Sequence, residues 1–352
     1  MTGVLTRGRM VGVLLACFGA MVAICLVAPL VGMDNAGGAR RLVWIDLGAV
    51  VDGIRGPETL ESQLFVLARL PRVLTGAVVG AGLAVAGCVF QALLRNPLAA
   101  PYSLGVSSGA SLAAVLAIRF GLDQTALGDS AIGLAALAGA AVTVYMVWKL
   151  AQIGSDLPPA MLLLAGVIVT IVCSSAILLV HYTASFSESY RFVRWTMGGL
   201  EWIRYPQLLR AAIPSAIGVF VLLTLARDLN ALSAGADAAA SVGVDPRRTT
   251  TIGFFAASLV VGAGISVAGP IGFVGLIVPH AMRGVLGPDH RVLVPASIFI
   301  GAAFVVLCDT VARLALYPAE LPVGVVTTLL GGGFALYLII GKRTRARLWG
   351  GS

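Results

Sequence analysis

The sequence predicts an all-α, polytopic membrane protein with about ten transmembrane helices and an inverted internal repeat. Three observations lead there. First, 59% of the 352 residues are hydrophobic and only 11% are charged, where a soluble domain carries about 25% charged. Second, the charges punctuate apolar runs such as the 22 uncharged residues Val73–Leu94. Runs of that length cross a bilayer core of roughly 30 Å at about 1.5 Å per residue. Third, Gly80–Gly87 (GAGLAVAG) recurs as Gly262–Gly269 (GAGISVAG), six of eight positions identical at an offset of 182 residues. One copy lies on the second span and the other on the seventh, so they run in opposite directions, as in transporters built from inverted repeats. Chance similarity between Gly/Ala-rich helices is the competing reading.

The spans fall near 11–33, 71–93, 100–118, 130–150, 160–182, 205–226, 249–268, 270–286, 292–314 and 322–341, within one domain covering 1–352. The first follows Arg7 and Arg9. Its apolar run is too long for a signal peptide and no clear small-residue cleavage site follows it, so it reads as an uncleaved helix. The second is headed by Arg69 and Arg72, is rich in small residues that allow close helix packing, and stops at Arg95-Asn96-Pro97. Spans seven and eight share a 34-residue uncharged stretch, Thr249–Met282, broken at Gly269-Pro270. Ten spans put both ends on one side. The basic ends, Arg7 with Arg9 and Lys342 to Arg347, argue that this side is cytoplasmic, while the interior loops add little. Phe186 to Tyr190 and Trp195 to Trp202 mix aromatic and charged residues, which suits a helix lying at the interface. The outer loop 34–68 carries no readable role.

Several function classes fall away. The net charge of +8 is scattered between spans, which fits membrane-surface loops better than nucleic-acid binding. Cys17, Cys25, Cys88, Cys173 and Cys308 sit in apolar runs without a CxxC and read as packing residues. The three histidines lack an HExxH or a carboxylate cluster, which argues against a catalytic metal. A GxxxxGK[ST] phosphate loop is missing, so ATP is not bound through one. Asp309 is the one acid well inside a predicted span, and its i,i+4 spacing to Arg313 predicts a local salt bridge. An ion-coupled carrier would need more ionisable groups at the midplane, and an intramembrane enzyme would need paired acids or metal ligands.

Two surfaces remain. Arg69, Arg72 and Arg313 lie at the outer ends of the second and ninth spans, where they either anchor carboxylates of a partner or snorkel to lipid headgroups. At the inner side, residues 229–248 are polar but alanine-rich and predict a short helix ended by Gly243, with Asp245-Pro246 opening the next span. Such a helix is a docking element or an ordinary connector.

The motifs are ordered along the chain: RLPR at 69–72, GAGLAVAG at 80–87, QALLRNPLAAP at 91–101, LGVSSGA at 104–110 and WTMGGL at 195–200. GFVGLIVPHAMR follows at 272–283, then DHR at 289–291, VARL at 311–314 and ELPVGVVT at 320–327. Together they resemble the FecCD permease family, membrane subunits of bacterial type II ABC importers for ferric siderophores, haem and vitamin B12. The resemblance spans about 69 to 340. It implies that Arg69, Arg72 and Arg313 meet glutamates of an extracytoplasmic substrate-binding protein. It implies that Leu229, Asn230, Leu232, Gly235, Ala239, Gly243 and Val244 form the segment that couples to the ATPase. Asn96 and Leu98 are gate elements by the same resemblance, although Pro158-Pro159 depart from the small hydroxyl residues relatives often carry there. The implied assembly has a second, identical permease subunit and two cytoplasmic ATPase subunits that bind the ATP and Mg²⁺, with no cofactor in this chain. It sits in the bacterial cytoplasmic (inner) membrane and imports an iron chelate, ferric siderophore first, with haem or cobalamin as alternatives.

Overall fold

The structure, a computed structural model, describes residues 7–34, 41–56, 59–125, 128–154, 156–201 and 203–349. Part of the 34–68 loop (35–40 and 57–58), Ser155 in the connection before the fifth expected span and Trp202 lie outside the described residues. So do the side chains of the basic ends, Arg7, Arg9 and Lys342 to Arg347.

The helices are α1 Arg7–Val27, α2 Leu47–Arg55, α3 Leu60–Gln63, α4 Leu70–Leu93, α5 Val106–Arg119, α6 Asp129–Ala151, α7 Pro159–Tyr182 and α8 Phe186–Thr196. They continue as α9 Tyr205–Thr224, α10 Ala226–Ala234, α11 Ala236–Ser241, α12 Pro246–Ala268, α13 Val274–Leu286, α14 His290–Ala315 and α15 Val323–Trp349. A two-stranded antiparallel hairpin, β1 Val31–Asp34 and β2 Arg41–Trp44, follows α1. Seven of the described helices are long and apolar enough to cross a membrane, and three shorter apolar ones (Val106–Arg119, Val274–Leu286, Val323–Leu338) bring the total to the ten expected. The protein is a polytopic all-α membrane protein.

Four boundaries differ from the expected ones, each for a local reason. The first helix ends at Val27 rather than 33 because Ala28-Pro29-Leu30 turns the chain into the hairpin, where Val31 pairs with Trp44. The third span starts at Val106. Before it, Pro101–Leu104 form a 3₁₀ turn ended by Gly105 at φ 78°. The eighth starts at Val274, after a stretch that leaves helical geometry at Gly269 (φ 63°) and turns again at Phe273, a non-glycine residue at φ 63°. The alanine-rich connector is two helices, broken at Gly235 (φ 132°). The expected interfacial helix forms as α8, started by a capping box in which Ser185 and Glu188 satisfy each other's backbone donors.

The core is built around α4. From Val79 to Leu94 its side chains are almost all buried, and α9, α12, α13 and α14 pack against it. Its glycines explain the closeness. A Cβ at Gly80 would strike the Gly301 carbonyl on α14, one at Gly87 the Gly275 carbonyl on α13, and one at Gly82 the Val260 side chain on α12. Without a hydrophobic force between helices in lipid, such backbone approach is what dispersion has to work with. The two repeat copies also pack on each other. Gly264 faces Val79 while Gly82 faces Val260, so α12 runs antiparallel to α4, as an inverted pair would.

Gly87→Ala should therefore lower stability by about 1–3 kcal/mol through overpacking. Gly284→Ala, on the open side of α13 with nothing within 4 Å, should be neutral or stabilising by about 0.5–1 kcal/mol. Thermal unfolding of both variants in detergent checks the contrast.

Candidate functional site

One end of the bundle collects cations. A cavity of about 1260 Å³ is lined there by Arg69, Arg72, Arg194, Arg204 and Arg313, with Glu201 and Glu320 as its two carboxylates among the described residues. Arg194 pairs with Glu201. Arg72 is held by two acids. Its Nε and Nη2 donate to the Asp309 carboxylate at 2.9–3.1 Å and its Nη1 to Glu320 Oε2 at 2.7 Å. Asp309 is 5% exposed and Arg72 12%, so this is a buried, forked ion pair joining α4 to α14, of the geometry guanidinium suits best.

That corrects the expected Asp309–Arg313 bridge. Spacing along α14 permits it, but Asp309 turns to the cation on the neighbouring helix. Arg313 instead donates from Nη2 to the Ala28 carbonyl at 2.8 Å, and Arg69 from Nη1 to the Pro29 carbonyl at 3.1 Å. Carbonyls just past a helix C-terminus lack intrahelical partners and sit at its negative pole, so two arginines there are favourably placed. Among the described residues neither Arg69 nor Arg313 is salt-bridged to a carboxylate. The three predicted arginines thus come together, but in two chemical situations.

At the opposite end lie α10 and α11. Leu229, Leu232 and Ala239 are fully buried and seat the pair against the bundle. Gly235 and Gly243 supply the positive-φ turns (132° and 81°), and Val244 N–H closes the segment on the Ala239 carbonyl at 3.0 Å. The exposed face carries Asp237, Ala238, Ser241 and Val242, the last 68% exposed. Asn230 faces inward. Its Nδ2 donates to Asp289 Oδ1 at 2.7 Å and its Oδ1 accepts the His290 backbone N–H at 2.8 Å. Asp289 is held well below the usual carboxylate range, first by the Arg291 side chain and then, against desolvation, by Asn230 and the Arg291 N–H. His290 is the buried first residue of α14.

The candidate gate residues sit at the end of α4. Asn96 Oδ1 accepts from Leu98 N at 3.0 Å in a tight turn that follows Arg95 at φ 48°, and Leu98 is 47% exposed. Beyond them the chain folds back into the bundle, and Leu104-Gly105 pack on Gly166 in mid-α7. This re-entrant segment and the unwound 270–273 stretch meet at a second cavity of about 500 Å³, lined by Tyr102, Phe273, Met197 and Thr328.

The Arg72–Asp309–Glu320 cluster and the Asn230–Asp289–His290 cluster were both missed by sequence reasoning. Their partners lie about 240 and 60 residues apart. The signal available for the first was Asp309 itself, since an acid within a span requires a cation from somewhere.

A helical membrane protein with backbone that re-enters the bundle, a cationic cavity at one end and an exposed short-helix pair at the other has the form of a transport permease. The FecCD transport family model matches residues 41–341, and the chain belongs to that family. It is similar to the cobalamin import system permease BtuC of Halobacterium salinarum, at 44% identity over 82% of this chain and 76% of the relative. It is similar also to the hemin transport system permease HmuU of Yersinia pestis, at 38% over 78% and 82%. A solved inward-facing ABC transporter, provisionally assigned to the metal-chelate type, superposes with a TM-score of 0.80 at 28% identity, covering 94% of this chain and 99% of that one. The chain is an ABC importer permease, a transport subunit.

Arg72→Ala should cost about 3–5 kcal/mol, because it leaves a buried carboxylate uncompensated, and Arg72→Lys should not restore the fork. Unfolding midpoints of both, with and without Asp309→Asn, check this.

Glu188, which caps α8 and bonds Arg119 at 2.7 Å, is pulled down to about 2, first by the Ser185 N–H, then by Arg119 and the Ser185 hydroxyl. A depressed folded value means that this contribution is complete above the unfolded value of about 4.3 and is lost as pH falls toward 2. Hydrogen exchange of α8 should be insensitive to Glu188→Gln only at the acid end of that window.

Proposed function

We propose that this chain forms half of a membrane pore with a second, identical copy, and imports a metal chelate by alternating access. Two cytoplasmic ATPase subunits bind ATP and Mg²⁺ and dock on α10–α11, leaving this chain without a cofactor. A substrate-binding protein outside the membrane docks at the arginine end. In this reading both termini are cytoplasmic and the membrane is the cytoplasmic (inner) one. The whole chain acts as one permease domain, with 229–248 as its coupling segment and Asn96 and Leu98 at the cytoplasmic gate.

The observation that carries the reading is the contrast between the two ends. One presents cations held in place by backbone carbonyls, suited to partner carboxylates. The other presents a short helix pair whose apolar side is buried and whose far side is open. Cargo passes the second cavity, which Ala100, Tyr102, Pro270, Gly272 and Phe273 line where the chain leaves regular helix.

For the cargo, the relatives point to a metal tetrapyrrole. Cobalamin is the first reading, because it is named for the 44% identical relative, and haem is the second, because it is named for another at 38%. Ferric siderophore, the expectation from sequence, belongs in the same test.

Val242→Arg or Ala238→Arg should leave the chain folded but abolish ATPase co-purification, whereas a bulky residue at buried Ala239 should disturb folding instead. Uptake of labelled cyanocobalamin, haem and ferric siderophore in cells lacking the chain tests the cargo. Loss of cobalamin uptake alone supports the first reading, loss of haem or siderophore uptake reassigns it, and unchanged uptake of all three sinks it.

A further inference from the structure

We infer that Asn230 is a positioning residue that welds the coupling segment to α14 through Asp289 and His290, so that displacement of α10 reaches the far end of that helix. The inference rests on the docking reading above.

The chemistry of the junction is directional. Asn230 Oδ1 takes the His290 backbone N–H at 2.8 Å and lies 2.8 Å from His290 Nδ1, while Nδ2 gives to Asp289 Oδ1 at 2.7 Å. An oxygen facing a backbone N–H and a nitrogen facing a carboxylate fix the amide's orientation, and Nδ1 must carry the proton. Asp289 caps α14 from within its own chain direction, accepting the Arg291 N–H at 3.0 Å, and Asn230 satisfies a further first-turn donor from outside. Leu229 and Leu232 also hold α10, but apolar contact alone has no preferred direction. The hydrogen bonds set the register.

From there α14 runs over 26 residues, about 39 Å at 1.5 Å per residue, with Pro295 in its second turn, close to the junction, as its interior proline. Its other end is tied as firmly, by Asp309 to Arg72 and by Arg313 to the Ala28 carbonyl. A helix fastened by directional bonds at both ends moves as a rod, and it packs along α4 for most of its length. The coupling segment and the cationic cavity are therefore two ends of one mechanical element.

The test uses the full complex with its ATPase, carrying a spin label at Leu316→Cys, a 49% exposed site just past α14, and needs no cargo. Asn230→Asp sets a carboxylate against Asp289. Asn230→Ala removes the bonds to Asp289 and His290 without adding a charge, and leaves Asp289 Oδ1 its bond from the Arg291 N–H.

The expected result is an ATP-dependent change in label mobility in the parent. In Asn230→Asp, compared with the parent at equal bound ATPase, the shifted population should fall about tenfold, a usual size for coupling between sites. Asn230→Ala should lose the change to a similar extent. A full ATP response in either variant at equal bound ATPase, or no response in the parent, overturns the link while leaving docking intact. Failure of the parent to retain any ATPase instead brings down the docking reading and the link with it.

Discussion

The rest of the structure depends on how closely other backbones approach α4. At Gly80 and Gly87 the carbonyls of Gly301 and Gly275 occupy the space a side chain would fill. Lipid tails are as apolar as leucine, so burying a larger side chain there would gain little, whereas removing one allows long lines of dispersion contact. That contact fixes α14 and α13 against α4, and through α14 it fixes where Asp309 stands. The buried ion pair is thus a consequence of glycine packing: only with the helices this close does the Arg72 fork reach a carboxylate on its neighbour.

The same closeness governs the broken segments. Helices ending at Leu93 and Ala268 leave backbone groups that lipid cannot satisfy. The re-entrant turn at 101–105 and the stretch at 270–273 instead lie inside the bundle, against Gly166, Gly275 and α15. Irregular backbone at this depth is confined to where it lines a cavity, which is where a permease needs polar groups and the freedom to rearrange.

Much of this was legible in the sequence because its signals are local. Charge punctuation located all ten apolar helices, the aromatic and charged run from Phe186 to Tyr190 announced α8, and Asp245-Pro246 announced α12. The misreadings came where the deciding partner is remote. Asp309 was matched to Arg313, the cation within a turn, although sequence carries no record of which helix packs alongside. The 229–243 segment read as one helix because alanine propensity outweighed a single glycine, whereas Gly235 at φ 132° ends one helix and starts another. Asn230 looked like one polar residue among several. Its significance appears only when Asp289 and His290 arrive from 60 residues away.

The three arginines that the motifs grouped together divide by electrostatics. Arg72, between two carboxylates, is neutralised within the chain and serves as a fastening between helices. Arg69 and Arg313 are held just as definitely, but by carbonyls at the end of α1, whose partial negative charge of roughly half a unit orients a guanidinium without cancelling it. A cation fixed in position and still carrying most of its charge suits an anionic partner better than one that must first leave an internal salt bridge. Under the proposed reading, Arg69 and Arg313 are the residues a binding protein would feel, and Arg72 acts on docking through the helices it holds together.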